Sequence, residues 1–315
     1  MSLSSPTLLA AALALALALA YALVCARAAH RLTRACRSGA AAGADAGEPV
    51  ELGTRDGRAR LAARWLPADG AEGAVILLRA RGGCCEGEPV GPALELAEAL
   101  RGCRLSVLLI DPRDAGGAAR RAYGGRECQQ VLGAVDYLLA RGVAAGRIGV
   151  LGASAGAVAA LLAAVHEPAI GAVAADSAFA DFPALLAAPR QPDSCLPAFV
   201  PPGALWCARW LCGVDLRALS PVRAAAALRG RPVLVIHGDD DPVVPVAHAL
   251  AMAKASQARL WVTSSRRHAG SLRDAPGAYS AVVLRFFTHH LTARPAPLPC
   301  DRAPAPLPQA WQPAV

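Results

Sequence analysis

The chain has 315 residues, 55% hydrophobic and 18% charged, with 29 Gly and 25 Pro, enough for one large well-filled domain or two small ones. That apolar share excludes a disordered protein, and no Gly-X-Y period points to collagen. The formal charge of +8 is almost all arginine, Lys254 being the only lysine. With no basic block interleaved with aromatics, no zinc-knuckle spacing and no helix-turn-helix signal, nucleic acid is not an expected partner.

Leu8 to Ala26 is a run of 19 residues without a charge, mostly Leu and Ala. As a helix it is about 28 Å long, close to the hydrocarbon core of a bilayer. The Leu-Ala alternation mimics a strand, but both residues are good helix formers and both faces are apolar, so a transmembrane helix is expected. Arg27, Arg31, Arg34 and Arg37 follow, and no Lys or Arg precedes. The positive-inside rule then puts the N-terminus outside and the main domain in the cytoplasm, on a single-pass anchor. The alternative is export after cleavage of a signal peptide at Ala20-Tyr21-Ala22 or Ala26-Arg27-Ala28; the lack of a positive n-region argues against it. Residues 1–37 are thus read as anchor and basic flank, and the Ser, Gly and Ala-rich residues 38–48 as a flexible tether.

From Pro49 the pattern changes. Residues 50–66 read as a β-hairpin, with Val50-Glu51-Leu52, a turn at Arg55-Asp56-Gly57 and a strand from Leu61 to Leu66. Short apolar runs follow at Ala74–Leu78, Leu105–Ile110, Ile148–Leu151, Ala172–Ala175, Val233–His237 and Leu260–Val262. Between them, Ala93–Leu100 and Glu127–Ala140 carry apolar residues at helical spacing. Strand and helix alternating this often predict a mostly parallel sheet covered on both faces, with function at the loops after the strands' carboxyl ends. The domain is expected to span residues 49–292. Residues 293–315, where Pro-Ala-Pro-Leu-Pro occurs twice, read as an extended tail.

Gly152-Ala153-Ser154-Ala155-Gly156 follows the strand Ile148–Leu151 and opens the Ala-rich helix Ala155–Val165. This is G-x-S-x-G in its strand-turn-helix context. Gly152 and Gly156 keep the sharp turn free of side chains, the turn lifts the Ser154 hydroxyl out of the sheet, and the helix N-terminus favours developing negative charge. Chance alone could supply the pentapeptide in a chain this rich in Ala and Gly. Two later segments argue otherwise. The strand Val233–His237 runs into Gly238-Asp239-Asp240-Asp241-Pro242-Val243-Val244-Pro245, and His268 lies just past the strand Leu260–Val262. A carboxylate there can orient an imidazole, and the chain order Ser, Asp, His is that of an α/β hydrolase.

From about residue 50 to 290 the chain resembles the α/β-hydrolase superfamily, and within it the single-domain serine hydrolases known as esterases, acyl hydrolases or serine aminopeptidase-like proteins. The resemblance rests on Asp111-Pro112-Arg113, Tyr123-Gly124-Gly125-Arg126-Glu127, Arg147-Ile148-Gly149-Val150-Leu151-Gly152, Asp176-Ser177-Ala178-Phe179 and His237-Gly238-x-x-Asp241-x-x-Val244-Pro245. It implies Ser154 as nucleophile, Asp241 as acid and His268 as base, with Asp239 and Asp240 as loop neighbours and Asp176 as a weaker substitute acid. It also implies a small cap at about 182–219 and no metal or organic cofactor. The expected substrate is a small acyl ester or thioester, lipophilic if the anchor spans a membrane. Alternatives are a serine peptidase or amidase, for which no site for a charged amine is apparent, and a catalytically weak pseudo-hydrolase kept for binding.

One loop departs from the family. Arg79-Ala80 stand where relatives carry His-Gly, and Asp114-Ala115-Gly116-Gly117 replaces the usual Arg-Gly-x-Gly. By resemblance the oxyanion donors are the backbone N–H groups of Arg81 and Ala155. Losing one such donor costs about 3–4 kcal/mol, far less than losing the nucleophile or base, so a weakened or retuned enzyme is expected rather than a dead one. Trp206 and Trp210, four apart in the cap, share a helix face expected to pack onto the body. His30, His166, His248, His289 and His290 have no partner pattern and are expected in surface or core roles. The ten cysteines include no C-x-x-C pair and read as free thiols, although Cys195, Cys207 and Cys212 could pair in an oxidising compartment.

Overall fold

A computed structural model describes residues 5–34, 47–78, 90–114, 121–188 and 200–293. In chain order, α1 (Ser5–Thr33) is followed by β1 (Glu48–Gly53), β2 (Arg60–Leu66), β3 (Gly73–Leu78), α2 (Val90–Gly102) and β4 (Leu105–Asp114). Next come α3 (Cys128–Ala140), β5 (Ile148–Ala153), α4 (Ala155–His166), β6 (Ile170–Asp176), α5 (Phe182–Ala187) and α6 (Val200–Cys212). The chain closes with α7 (Pro221–Ala227), β7 (Val233–Gly238), α8 (Val246–Ser256), β8 (Arg259–Thr263), α9 (Ser271–Asp274) and α10 (Pro276–Leu291). Every predicted strand is present.

The strands form one eight-stranded sheet in the order β1-β2-β4-β3-β5-β6-β7-β8. The hairpin β1–β2 joins β4 antiparallel, and all pairings from β4 to β8 are parallel. Strands β3, β5 and β7 are buried along their whole length, which is why they read as continuous apolar runs rather than alternating ones. Helices α3, α4 and α8 fill one face around Val131, Leu138, Val158, Leu161 and Met252. Helices α2 and α10 fill the other around Leu96, Leu100, Val283 and Phe287. The connection after β3 returns to β4 on one side, while β5 lies on the other, so a crevice opens at the carboxyl ends of β3 and β5.

The N-terminal helix is longer than the apolar run that predicts it. It continues past Arg27 and Arg31 to Thr33, and Cys25, Ala28, Ala29 and Leu32 are buried. Their spacing of three and four puts them on one side of the helix. Helix α6 packs there: a Cβ on Gly203 would come within 2.5 Å of Cys25 Sγ and 2.6 Å of the Tyr21 hydroxyl. Beyond the helix end, the Arg121 N–H donates to the Thr33 carbonyl (2.8 Å) and the Tyr123 hydroxyl to that of Leu32 (3.1 Å). Over 28 residues, Pro6–Thr33, the helix is long and apolar enough to cross a membrane.

The expected packing of Trp206 and Trp210 onto the body is corrected. Their rings do share a face, with centroids 6.3 Å apart, but that face is exposed, because Ala204, Leu205, Cys207 and Ala208 occupy the inward side of α6. Among the described residues Cys25, Cys103, Cys128, Cys207 and Cys212 are free thiols. Most of the expected tether, part of the expected cap and residues 294–315 of the expected tail lie outside the described residues.

Candidate active site

Ser154 sits between β5 and α4 with φ 55° and ψ −120°. A non-glycine residue rarely occupies this region, and the strain is held by close packing around the turn. A Cβ on Gly152 would overlap the Gly156 carbonyl, and one on Gly156 would come within 3.2 Å of Leu78 on β3. Contact therefore requires glycine at 152, and leaves little room for a side chain at 156. The Ser154 N–H donates to the Asp176 carbonyl at 2.8 Å, tying the turn to β6.

His268 follows β8 and Asp241 follows β7, and the structure brings both to Ser154. His268 Nε2 lies 2.7 Å from Ser154 Oγ, and His268 Nδ1 lies 2.8 Å from Asp241 Oδ2. An ionised carboxylate only accepts, so Nδ1–H donates to Asp241 and Nε2 is left to accept from the serine hydroxyl. The imidazole is largely enclosed, and Asp241 is buried. Burial opposes the charge of Asp241, yet the bond from His268 and the N–H groups of Val244 (2.9 Å) and Val243 (2.8 Å) outweigh it, and the carboxyl is held below its usual range.

The run of three aspartates is separated by contact. Asp239 is exposed and Asp240 faces the exposed guanidinium of Arg266 at 3.3 Å, so only Asp241 turns inward. Asp176 is also buried, but its carboxyl accepts from the Ser177 hydroxyl (2.9 Å) and from Tyr279. Burial pushes its pKa up to about 6.

His237 is a residue that the pattern contained without assigning it a role. Fully buried, it donates from Nε2 to the Val244 carbonyl (2.8 Å), which fixes the loop whose amides hold Asp241. Burial lowers its pKa, so it stays neutral. Its position in His237-Gly238-x-x-Asp241-x-x-Val244 was the available signal. On the other side, the Tyr123-Gly124 turn packs against α4: a Cβ on Gly124 would lie 2.6 Å from Val158 Cγ1 and 2.8 Å from the Ala155 carbonyl. Ala155 begins α4, so its N–H is one of the helix's first-turn donors. Arg79, Ala80 and Arg81, the other half of the expected oxyanion site, lie outside the described residues. Among the described residues no group of three or more His, Cys, Asp or Glu is placed to hold a metal ion.

Residues 116–294, more than half of the chain, match the prolyl oligopeptidase family. No curated protein matches the sequence. Similar solved structures include an esterase of Pyrococcus furiosus, at 21% identity and a TM-score of 0.59, over 78% of this chain and 92% of that one. An acylaminoacyl peptidase of Pyrococcus horikoshii has 16% identity and a TM-score of 0.58, over 78% of this chain and 42% of that one. A hydrolase of Pseudomonas aeruginosa has 23% identity and a TM-score of 0.54, over 77% of this chain and 99% of that one. At these identities the likeness is one of fold, the α/β-hydrolase fold.

Proposed function

Because the chain belongs to the prolyl oligopeptidase family and is a serine hydrolase, we propose that Ser154, His268 and Asp241 are its nucleophile, base and acid, and that it cleaves acyl esters or thioesters through an acyl-enzyme. One observation carries the reading: the unbroken line of hydrogen bonds from Ser154 Oγ through His268 to Asp241. The hydroxyl proton passes to His268 Nε2 as Ser154 Oγ bonds to the acyl carbon. Asp241 stabilises the imidazolium, which returns the proton to the leaving oxygen or sulfur as that bond breaks. Water, deprotonated by the same imidazole, then frees the acid and restores the serine. The N–H groups of Ala155 and Arg81 are the proposed donors to the oxyanion.

The long apolar helix supports a single-pass anchor, with the arginines after it supporting a cytoplasmic hydrolase domain. Both alternative cleavage sites fall inside α1, and Ala28 is buried against the rest of the protein. That favours retention over removal. An anchored enzyme of this kind meets lipophilic acyl substrates at the bilayer. The family match favours a second reading, cleavage of an amide or short peptide by the same three residues.

The test is labelling of the full-length protein in detergent with a fluorophosphonate, beside Ser154→Ala and His268→Ala. The wild type is expected to label and both variants to stay unlabelled. Turnover of p-nitrophenyl acyl esters over aminoacyl amides then selects the first reading. A folded wild type that does not label overturns both, leaving a hydrolase fold kept for binding.

A further inference from the structure

We infer that the exposed apolar side chains in the C-terminal half of α6, Trp206, Trp210 and Leu211, are seated in the bilayer interface beside α1, so that the membrane is the partner of the cap as well as of the anchor. The inference rests on α1 spanning a membrane.

The three side chains are 55%, 64% and 63% exposed. Large apolar residues this open on adjacent turns are a cost in water, and rimmed patches of this kind mark interaction sites. Their position on α6 says what covers them. Gly203 touches Tyr21 and Cys25, and the Cys25 thiol meets the Val200 carbonyl at 3.8 Å. Trp210 is seven residues beyond Gly203, and helix geometry returns it to nearly the same side. Leu211, four beyond the buried Cys207, likewise continues the inward-facing row. The exposed patch is therefore the extension of the surface that α6 already applies to α1.

Height along α1 fixes the surroundings. Tyr21 and Cys25 belong to the end of the apolar run, less than two turns before Arg27. α6 thus lies abreast of the domain-side boundary between hydrocarbon and headgroups. Tryptophan and tyrosine favour this layer, having an apolar body and one polar hydrogen. Arg209 suits the same depth: it pairs with Asp215 at 3.1 Å, and its guanidinium lies 5.4 Å from the Trp210 ring centroid, an arrangement that lets the charge reach the headgroups while its stem covers apolar surface. On α1 itself, Leu13, Leu15, Leu17, Leu19 and Leu23 are all exposed, so bilayer-facing surface runs from the anchor onto the cap.

The experiment places full-length protein in phosphatidylcholine vesicles, with either ordinary or brominated acyl chains, and compares tryptophan emission with that of Trp206→Phe/Trp210→Phe. The emission that the two tryptophans add is expected to lose most of its intensity in the brominated lipid. Equal emission in both lipids, from protein that stays in the vesicles at alkaline pH, overturns the inference while leaving the anchor intact. Release of the protein at alkaline pH instead removes the anchor and the inference together. Unquenched tryptophans with cross-linking of two chains through α6 assign the patch to a second copy and overturn it as well. Circular dichroism of the double variant establishes that the subtraction compares folded proteins.

Discussion

Asp176 and Asp241 stand at the ends of neighbouring parallel strands, both buried, and their carboxyls are shifted in opposite directions. Burial penalises both charges. The difference lies in the partners: Asp176 has the hydroxyls of Ser177 and Tyr279, whereas Asp241 has the imidazole of His268 and two backbone N–H groups. A charged or chargeable donor and two fixed amides offset desolvation, and two neutral hydroxyls do not. The site therefore holds one carboxylate and, at mildly acidic pH, one carboxylic acid.

Substitution separates the aspartates. Asp241→Asn keeps the shape but removes the charge that holds the Nδ1–H tautomer of His268, and kcat/KM is expected to fall on the order of 10⁴-fold. Asp239→Asn and Asp240→Asn are expected to stay within a few-fold of wild type, since neither contacts the imidazole. Steady-state kinetics on one ester substrate checks all three, and a large loss at Asp240 would reassign the acid.

The raised pKa of Asp176 has a consequence for stability. Between its unfolded value of 3.8 and its folded value of about 6, the native state keeps a proton that the unfolded chain has released. Stability therefore falls as pH rises through that window, by about 3 kcal/mol at most for two pKa units. Asp176→Asn cannot ionise and still accepts from Ser177. Its denaturation midpoint is expected to decline less than that of the wild type between pH 4 and pH 7. Parallel profiles for the two proteins would show that Asp176 is not the group responsible.

Much of this was legible in the sequence, and the limits have physical causes. Strands β3, β5 and β7 are buried throughout, so each appears as an apolar run with a turn at its end, and β4 alone extends well beyond its run, to Asp114. Ser154, Asp241 and His268 stand out because each sits in the loop that follows a strand. The docking of α1 on α6 was not readable, because helix-to-helix contact leaves only a spacing of small residues, Cys25, Ala28, Ala29 and Gly203, in a chain full of alanine. The outward exposure of Trp206 and Trp210 departs from expectation for a related reason. Helical spacing places them on one face but says nothing of which side that face meets.

Gly124 is a second position where contact decides. Its φ is +104°, and a Cβ there would press on Val158 Cγ1 and the Ala155 carbonyl in the first turn of α4. Gly124→Ala is expected to cost about 2–4 kcal/mol, from overpacking and left-handed backbone together. Because Ala155 carries a proposed oxyanion N–H, kcat should fall more than KM rises. Thermal unfolding and kinetics of the same sample check both, and an unchanged melting temperature would remove the packing argument.

Gly203 tests the seat of the N-terminal helix. A valine side chain there would meet Cys25 and Tyr21 across the α1–α6 contact, and no glycine-only backbone angle is involved. In the full-length protein in detergent, Gly203→Val is expected to lower stability by about 1–3 kcal/mol, the usual range for overpacking. In a chain beginning at residue 47 the opposing helix is gone, and the same substitution no longer meets Cys25 or Tyr21. The destabilisation should then largely vanish, as a double-mutant cycle between the truncation and the substitution would measure. Equal losses in both backgrounds would mean that Gly203 is needed by α6 alone and not by its contact with α1.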